Sequence, residues 1–415
     1  MRTRSMPVWQ PGPRPEWVRV LNALGASHWV ALDEASLLEE AMRSTGLSDF
    51  GGEGFRTPLR IFLEALEQEA QLNLIGRILA RADVVNLLEN RLRMTATRKR
   101  YPEIDAEQIV RPIFITGLPR TGTSILHELL AQDPAHRVPL AWEVRYPCPP
   151  PEAATYATDP RIAQADETLR FWNQIVPEYV TMHELGANVP VECIVLMMHE
   201  FLSDHLSGMH QVPTYAAWLA QTDRRPAYRY HRGMLQLLQW RAPRERWVLK
   251  APSHMASLDA LLAVYPDACI IQTHRDPLQV MGSVASVLCA TAWVRSDAVD
   301  PERVLQWFGG ASCAALLANA DRVRQSGTVG VQQFFDVHYS DLVRDPFGTL
   351  AGMYQHFGLR HTTAAEGRMR AYLAAKPKDK HGVHQYSFAD TGFDRETERR
   401  RFAAYQERYN VPSEV

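Results

Sequence analysis

Apolar residues recur every three to four positions through most of the first hundred residues. Within residues 35–98, the run "LRIFLEALEQEAQLNLIGRILARADVVNLLENRL" shows this period, which is that of amphipathic helices. Pro58 lies near the start of the run and Pro102 just beyond it, where prolines commonly bound helices. The pattern therefore predicts a helical N-terminal region over residues 1–110, which ends at the connector "RKRYPEI".

The period then changes to that of buried strands. "PIFITGL" is a short β-branched run that ends near a glycine, and "TSILHELLAQDP" has the pattern of an amphipathic helix. Three more apolar runs are each followed by a helical pattern: "WVLKAP" (247–252), "ACIIQTHR" (268–275) and "QQFFDVHY" (332–339). Strands that alternate with helices predict an α/β fold, in which a central parallel sheet is covered by helices on both faces.

The long stretch between the first two predicted strands is helical in pattern and rich in aromatic residues. It covers about residues 150–245 and follows "PCPPPE", a proline-rich run that predicts a rigid connector. We therefore expect three regions in the chain. They are the helical N-terminal region, an α/β core over residues 111–360 that contains the helical insertion, and a C-terminal loop and helix over residues 361–415.

Composition and charge narrow the class of protein. The 415 residues carry 45 basic and 47 acidic side chains, a balance that gives no sign of a nucleic-acid-binding surface. No apolar run follows the N-terminal arginines, and "VECIVLMMHEFL" is too short to span a bilayer, so we expect no secretory signal and no integral membrane segment. Five scattered cysteines indicate reduced thiols, and no Cys/His set has zinc spacing. We expect a cytoplasmic protein that holds no metal.

A glycine-rich turn joins the first predicted strand to its helix. Gly117, Gly122 and Ser124 fit the phosphate-loop pattern G-x-x-x-x-G-K-[ST], but Thr123 stands where that pattern has lysine. Such a turn points backbone N–H groups at an anion, and the dipole of the following helix adds a favourable potential. Because the missing lysine is the group that reaches the β- and γ-phosphates in nucleoside triphosphatases, the loop favours a single 5′-phosphate with a smaller, less charged attachment.

Arg120 supplies the positive charge of this loop, three residues before the expected lysine. We expect Arg120, Thr121, Gly122, Thr123 and Ser124 to bind the phosphate end of a nucleotide. An altered triphosphatase loop, or a turn with a purely structural role, is the alternative interpretation.

A second anion site is predicted where the strand "ACIIQTHR" ends. Arg275 closes this strand, and Asp276 and Pro277 are typical of a helix N-cap and first helical position. Ser283 lies about two helical turns further on. Arg275 and Ser283 can therefore grip one phosphate from two sides, with a charge and a hydroxyl together. An ordinary helical serine is the alternative for Ser283.

Taken in order, "GLPRTGTS", "WVLKAPSHM" and the Arg275/Ser283 pair resemble the motifs of sulfotransferases that use 3′-phosphoadenosine 5′-phosphosulfate (PAPS). The later runs "VHYSDLVRDPFGTL" and "KHGVHQYSF" resemble bacterial members of that family. The resemblance implies a P-loop-NTPase-like fold, PAPS as the sulfate donor, no metal, and a small-molecule hydroxyl acceptor. It also implies that Lys380, His381 and Gly382 close over the 3′-phosphate.

The resemblance also suggests catalytic residues. In the cytosolic branch of the family, a K-x-H element supplies a lysine near the transferring sulfate and a histidine base. The run "KAPSH" retains Lys250 but places His254 four residues later instead of two. His254 is our first candidate for the base, and His183, Glu184 and Glu192 are second, because some sulfotransferases use a carboxylate.

Sulfuryl transfer leaves negative charge on the oxygen that departs with the 5′-phosphate. Cations and N–H groups fixed at that oxygen are the largest available aid to catalysis, and we expect Arg120 and Lys250 to supply them. A structural ion pair is the alternative for Lys250, and a helix-capping role is the alternative for His254.

Two other functions stay open on the sequence alone: a P-loop kinase that uses ATP on a small molecule, and a P-loop-like binding protein without catalysis. The aromatic helical insertion and the N-terminal helices favour an apolar or aromatic acceptor. A homo-oligomer is compatible with the sequence.

Overall fold

A parallel sheet of five strands forms the centre of the protein. The structure, a computed structural model, describes residues 11–25, 27–177, 184–376 and 388–415. The strands are β1 (Ile113–Gly117), β2 (His136–Arg137), β3 (Arg246–Lys250), β4 (Cys269–His274) and β5 (Phe334–His338). They lie in the order β2-β3-β1-β4-β5, and each neighbouring pair is parallel. The predicted α/β fold with a parallel sheet is confirmed, as are the four predicted strands.

Helices surround the sheet and make up most of the described chain. They are α1 (Glu16–Ala23), α2 (Glu34–Thr45), α3 (Arg56–Gln68), α4 (Leu74–Arg100), α5 (Thr123–Leu130), α6 (Ala141–Arg145), α7 (Pro160–Ile175), α8 (Cys193–Met197), α9 (Asp204–Met209), α10 (Pro213–Ala220), α11 (Arg225–Gln239), α12 (Leu258–Val264), α13 (Pro277–Trp293), α14 (Pro301–Trp307), α15 (Gly310–Gln325), α16 (Tyr339–Arg344), α17 (Pro346–His356), α18 (Thr363–Ala375) and α19 (Arg395–Tyr409). Among the described residues, none of these helices has the length and apolar character needed to cross a membrane.

The central strand β1 is buried on both faces, which explains its continuous apolar run. Phe114 packs into one hydrophobic cluster, whereas Ile113 and Ile115 pack into a second cluster on the opposite face. This alternation follows from the two-residue period of a strand. Because β1 lies between β3 and β4, the loop that follows it is placed beside the residues that end those two strands.

The helical regions share one core with the sheet. The larger hydrophobic cluster contains Leu88 of α4, Tyr215 of α10, Phe114 of β1 and Phe402 of α19, all of them at most 1% exposed. The helices predicted within residues 35–98 are confirmed as α2, α3 and α4. The domain boundaries expected from the sequence stay a prediction, because burial in a common core does not divide the chain.

Helix α13 begins as its sequence indicates. The side chain of Asp276 caps the helix by accepting a hydrogen bond from Leu278 N at 3.1 Å, and Pro277 is the first helical residue. Asp276 is fully buried and also accepts two hydrogen bonds from Arg399 of α19. This buried contact fixes the end of β4, and with it Arg275, against the C-terminal helix.

Candidate active site

The loop between β1 and α5 has the backbone shape of an anion-binding turn. Gly117 and Gly122 adopt φ angles of +140° and +89°, and Arg120 also has a positive φ of +65°. A Cβ atom on Gly117 would lie 2.6 Å from the backbone carbonyl oxygen of Thr273, so glycine is required there for space as well as for conformation. The first amides of α5 have no partner within the helix and are therefore available to an anion at this turn.

The side chains of the loop have different surroundings. Thr121 is fully buried, and its hydroxyl donates to Leu118 O at 2.6 Å and lies 2.5 Å from Thr273 Oγ1, so it holds the loop against β4. Arg120 and Ser124 are exposed, and together with Thr123 they line a large cavity at the carboxyl end of the sheet.

Lys250, at the end of β3, reaches the loop and an acidic residue at once. Its Nζ lies 2.5 Å from Glu192 Oε1 and donates to Ser124 Oγ at 3.3 Å. The lysine side chain is 4% exposed and that of Glu192 is 24% exposed. Glu192 immediately precedes α8 and, like Ser124, lines the cavity. The pair therefore places a cation and a carboxylate at the border between the loop and the cavity.

Arg275 lies on the other side of the loop. Its Nη1 donates to the carbonyl of Arg120 at 3.0 Å, and its guanidinium carbon stands 3.9 Å from the centre of the Tyr339 ring. Its Nε and Nη2 make a two-pronged contact with the Glu414 carboxylate, at 3.0 and 2.9 Å. A guanidinium that grips one carboxylate in this way has the donor geometry that also suits a phosphate.

Ser283 lies in the second turn of α13. The residue is fully buried, and its hydroxyl has no hydrogen-bond partner among the described residues. Buried hydroxyls in folded proteins are nearly always paired, so this group is a strong candidate for contact with a bound ligand.

The cavity beside the loop has a volume of about 1700 Å³. One end carries the polar groups of the loop and Glu192, whereas much of the remaining wall is apolar and comes from several helices. Representative apolar residues of that wall are Leu79, Leu169, Val195, Met209, Val287 and Leu316. The arrangement can therefore bind an apolar molecule with one polar end directed at the loop.

Comparison with known proteins assigns this arrangement to a family. The sequence profile described as "Sulfotransferase family" matches residues 112–363, a range that contains the loop, Glu192, Lys250, Arg275 and Ser283. The chain belongs to the sulfotransferase family.

The relatives of this sulfotransferase include mycobacterial proteins. The crystal structure of sulfotransferase STF1 from Mycobacterium tuberculosis H37Rv is 35% identical, with a TM-score of 0.79 over 90% of this chain and 99% of that one. STF9 from Mycobacterium avium is 28% identical, with a TM-score of 0.84 over 92% and 98% of the two chains. The omega-hydroxy-beta-dihydromenaquinone-9 sulfotransferase Stf3 of M. tuberculosis is 28% identical in an alignment of 291 positions that covers 63% of this chain and 66% of Stf3.

His254 is placed away from the cavity of this sulfotransferase. It is 1% exposed, its Nδ1 shares a 2.7 Å hydrogen bond with the Tyr228 hydroxyl, and its ring meets Phe114 edge to face. It is not among the residues that line the cavity. Burial lowers the pKa of His254 well below the usual histidine range, so the ring is neutral at pH 7.

The other candidate bases are placed differently from one another. Glu184 lines the cavity but forms an ion pair with Lys376 Nζ at 2.9 Å. His183 lies outside the described residues, as do Lys380, His381 and Gly382. Of the carboxylates considered from the sequence, Glu192 is the one that contacts Lys250 at the loop.

Several residues of the sulfotransferase site were not predicted. Tyr339 and Glu414 flank Arg275, and His205 lines the cavity near Glu192. Burial lowers the pKa of His205, and the carboxylate of Glu192 opposes that shift. Tyr339 lies within "VHYSDL", so a family motif pointed to its surroundings, whereas nothing in the local sequence marks Glu414 or His205. Among the described residues, no cluster of His, Cys, Asp and Glu could hold a metal ion.

Proposed function

We propose that this sulfotransferase moves the sulfuryl group of PAPS to the hydroxyl of an apolar, lipid-like acceptor. The observation that carries the proposal is the position of the Lys250–Glu192 pair, between a lysine-free phosphate loop and one end of an apolar cavity. A donor on the loop and an acceptor hydroxyl in the cavity would meet at this pair.

The residues on the loop side fit a nucleotide with phosphates at two separate ribose positions. The loop amides with Arg120 would hold the 5′-phosphate, and Arg275 with Ser283 would hold the 3′-phosphate. Support for the second site comes from the unpaired buried hydroxyl of Ser283 and from the carboxylate already bound by Arg275. Lys380, His381 and Gly382 stay candidates for closing over the 3′-phosphate.

Lys250 and Glu192 take complementary roles in the proposal. When bound, PAPS supplies a sulfuryl group whose S–O bond to the 5′-phosphate breaks as the acceptor oxygen forms its own bond to sulfur. Lys250 and Arg120 stabilise the charge that develops on the departing oxygen, an effect typically worth about 3–4 kcal/mol for one fixed donor. Glu192 accepts the proton of the acceptor hydroxyl, and the ion pair with Lys250 holds its carboxylate in place.

We propose Glu192 and not His254 as the base because a molecule in the cavity can reach Glu192. A base must come within hydrogen-bond reach of the proton that it removes. Glu192 lines the cavity, whereas His254 is buried between Tyr228 and Phe114.

The size and lining of the cavity support a long apolar acceptor. Drug-sized ligand sites are commonly about 300–1,000 Å³, and this cavity is about 1700 Å³ with a largely apolar wall. The name of the relative Stf3 gives a hydroxylated menaquinone as the molecule that Stf3 sulfates. We propose the same broad chemical class for this chain, a hydroxyl group on a long hydrocarbon or polyprenyl body.

Calorimetry with 3′,5′-adenosine bisphosphate tests the donor site. We expect a dissociation constant of about 100 µM or tighter, with AMP binding at least about tenfold more weakly, because AMP lacks the phosphate for Arg275 and Ser283. Equal binding of AMP, or no binding of either nucleotide, contradicts the proposal. Magnesium-dependent turnover of ATP would support the kinase alternative instead.

Mass spectrometry after incubation with PAPS tests the acceptor class. Farnesol and geranylgeraniol in detergent are expected to yield sulfate esters faster than 4-nitrophenol at equal concentration. A preference for the small phenol would contradict a lipid-like acceptor.

A further inference from the structure

The short helix α1 turns its apolar side away from the protein. Trp17, Val20, Leu21 and Leu24 follow the i, i+3, i+4, i+7 spacing of one helical face, and all four are exposed. Val20 and Leu24 are 57% and 59% exposed. A surface helix of a globular protein normally buries such a stripe. In this helix, whose residues are all described, Val18 alone is buried.

Polar contacts hold α1 in this orientation. The side chain of Asn22 accepts a hydrogen bond from the backbone N–H of Ile75 at 3.2 Å, and Val18 packs with Ile75 in a small apolar cluster. Just before the helix, Arg14 donates to the carbonyls of Trp293 and Ser296 at 2.6 and 2.9 Å. Because both ends of the helix are tied down through polar groups, the outward position of the apolar stripe is part of the fold.

The exposed stripe continues into the cavity. The ring of Trp17 lies 5.8 Å from the ring of Phe171, measured between centroids. Phe171 is 41% exposed and Ile78, one turn beyond Ile75 on α4, is 46% exposed, yet both also line the cavity. An apolar surface therefore extends from α1, across Phe171 and Ile78, to the wall of the cavity. We call α1 with these two residues the entrance patch.

We propose that the entrance patch rests on a lipid bilayer and inserts its apolar side chains into the interfacial region. Two observations favour a bilayer over a second copy of this chain. The patch is continuous with an apolar cavity, and a protein partner seated on it would cover the opening that the acceptor must use. The patch also carries a tryptophan at its rim, an amphipathic residue that is favoured at membrane interfaces.

Insertion is driven by apolar area and not by net charge, because Glu16 and Arg19 beside the stripe are exposed and cancel each other. The use of the patch as an entry route for the acceptor rests on the proposed function. The choice of a bilayer over a protein partner also rests on it in part, through the opening that the acceptor must use, whereas the exposure of the patch depends only on the side chains of α1, Phe171 and Ile78.

Sedimentation of the full chain with phosphatidylcholine vesicles tests the docking. We expect the wild-type protein to sediment with the vesicles, and the double variant Val20→Gln/Leu24→Gln to reduce the bound fraction about tenfold or more. Val110→Gln is the matched control. Val110 is 55% exposed and precedes β1 at the amino end of the strands, opposite to the cavity. Circular dichroism checks that each variant retains the fold.

Three results of the vesicle assay would overturn the proposal. They are the absence of vesicle binding by the wild-type protein, an equal loss of binding in the Val110 control, and vesicle binding that requires phosphatidylserine and survives the double substitution. A wild-type dimer that the double substitution dissociates would show that a second copy covers the patch, and would overturn it as well. Nucleotide calorimetry on the same samples separates this proposal from the donor site, because either can fail while the other holds.

Discussion

The loop side of this site and the cavity side are built by different means. The loop side takes Lys250 and Arg275 from the ends of the two strands that flank β1, and the loop itself follows β1. The cavity side takes its wall from many helices, among them α4, α7, α8, α9, α10, α12, α13 and α15, which come from several separate stretches of the chain. Groups on the loop side are polar or charged and make specific hydrogen bonds, whereas much of the cavity wall is apolar.

Because of this difference, the groups proposed for catalysis lie on the loop side, whereas the shape of the cavity side would select the acceptor. The ends of parallel strands meet at one edge of a sheet, so catalytic groups placed there keep their relative positions when the surrounding helices change. Apolar walls contribute area and shape, and a single methylene group there changes discrimination by only about 1–3 kcal/mol. Glu192 is where the two sides meet, since it lines the cavity and binds Lys250.

The largest effect on activity is expected from a substitution of Glu192, which lies between the loop and the cavity. Glu192→Gln is expected to lower kcat about 10²–10⁴-fold, because the amide cannot accept the proton of the acceptor hydroxyl. The affinity for 3′,5′-adenosine bisphosphate should change little, since Glu192 lines the cavity and its proposed role is on the acceptor side. Steady-state kinetics with the best acceptor, together with calorimetry, measures both quantities.

His254→Gln is the companion variant for this test. We expect it to lower the thermal stability, because His254 is buried against Tyr228 and Phe114, while the activity per folded molecule stays close to wild type. If His254→Gln lost the activity and Glu192→Gln retained it, His254 would be the base, and the catalytic role proposed for Glu192 would be wrong.

An intermediate effect is expected from Arg275→Ala. A charge-assisted hydrogen bond is worth about 1.5–3 kcal/mol, so the variant should bind 3′,5′-adenosine bisphosphate about 10- to 100-fold more weakly. Binding of AMP, which lacks the 3′-phosphate, should fall far less. Calorimetry with both nucleotides measures the difference. An equal loss for AMP would place Arg275 on the 5′-phosphate through its contact with the carbonyl of Arg120.

The sequence predicted the loop side of the site better than the cavity side for physical reasons. A strand buried on both faces needs a continuous apolar run, so β1, β3 and β4 were visible. The edge strand β5 is only partly buried and was visible through its aromatic pair Phe334 and Phe335, whereas β2 has only the two residues His136–Arg137 and no such run. The glycines of the loop are required by their positive φ angles and therefore mark the turn. By contrast, the contact between Glu192 and Lys250 joins residues 58 positions apart, and no local pattern reports it.

The sequence also could not predict how side chains are oriented. An amphipathic period shows that α1 has an apolar face but not whether that face meets the core or the solvent. In the same way, the spacing of "KAPSH" locates His254 near the end of β3. It does not show that the turn over Pro252–Ser257 directs the ring toward Tyr228. Both features depend on packing between distant elements.

The smallest predicted effect concerns Glu414, whose carboxylate would compete with the 3′-phosphate for Arg275. Glu414 holds the Nε and Nη2 donors of Arg275, so a 3′-phosphate bound as proposed would replace its carboxylate. Glu414→Gln is expected to tighten 3′,5′-adenosine bisphosphate binding about two- to fivefold, since a partly exposed ion pair is worth about 0.2–1 kcal/mol. The backbone N–H of Glu414 donates to Asp276 at 2.7 Å, so the substitution removes the charge and leaves the segment in place.

Calorimetry on two further variants isolates this contact. Glu396→Gln on α19 changes the net charge equally at an exposed position and should leave the affinity unchanged. In an Arg275→Ala background, Glu414→Gln should have no effect, because the two changes act on one ion pair. Weaker binding by Glu414→Gln alone would instead make Glu414 a contributor to the nucleotide site. The loop side would then depend on a residue 139 positions away from Arg275, as the cavity side depends on distant helices.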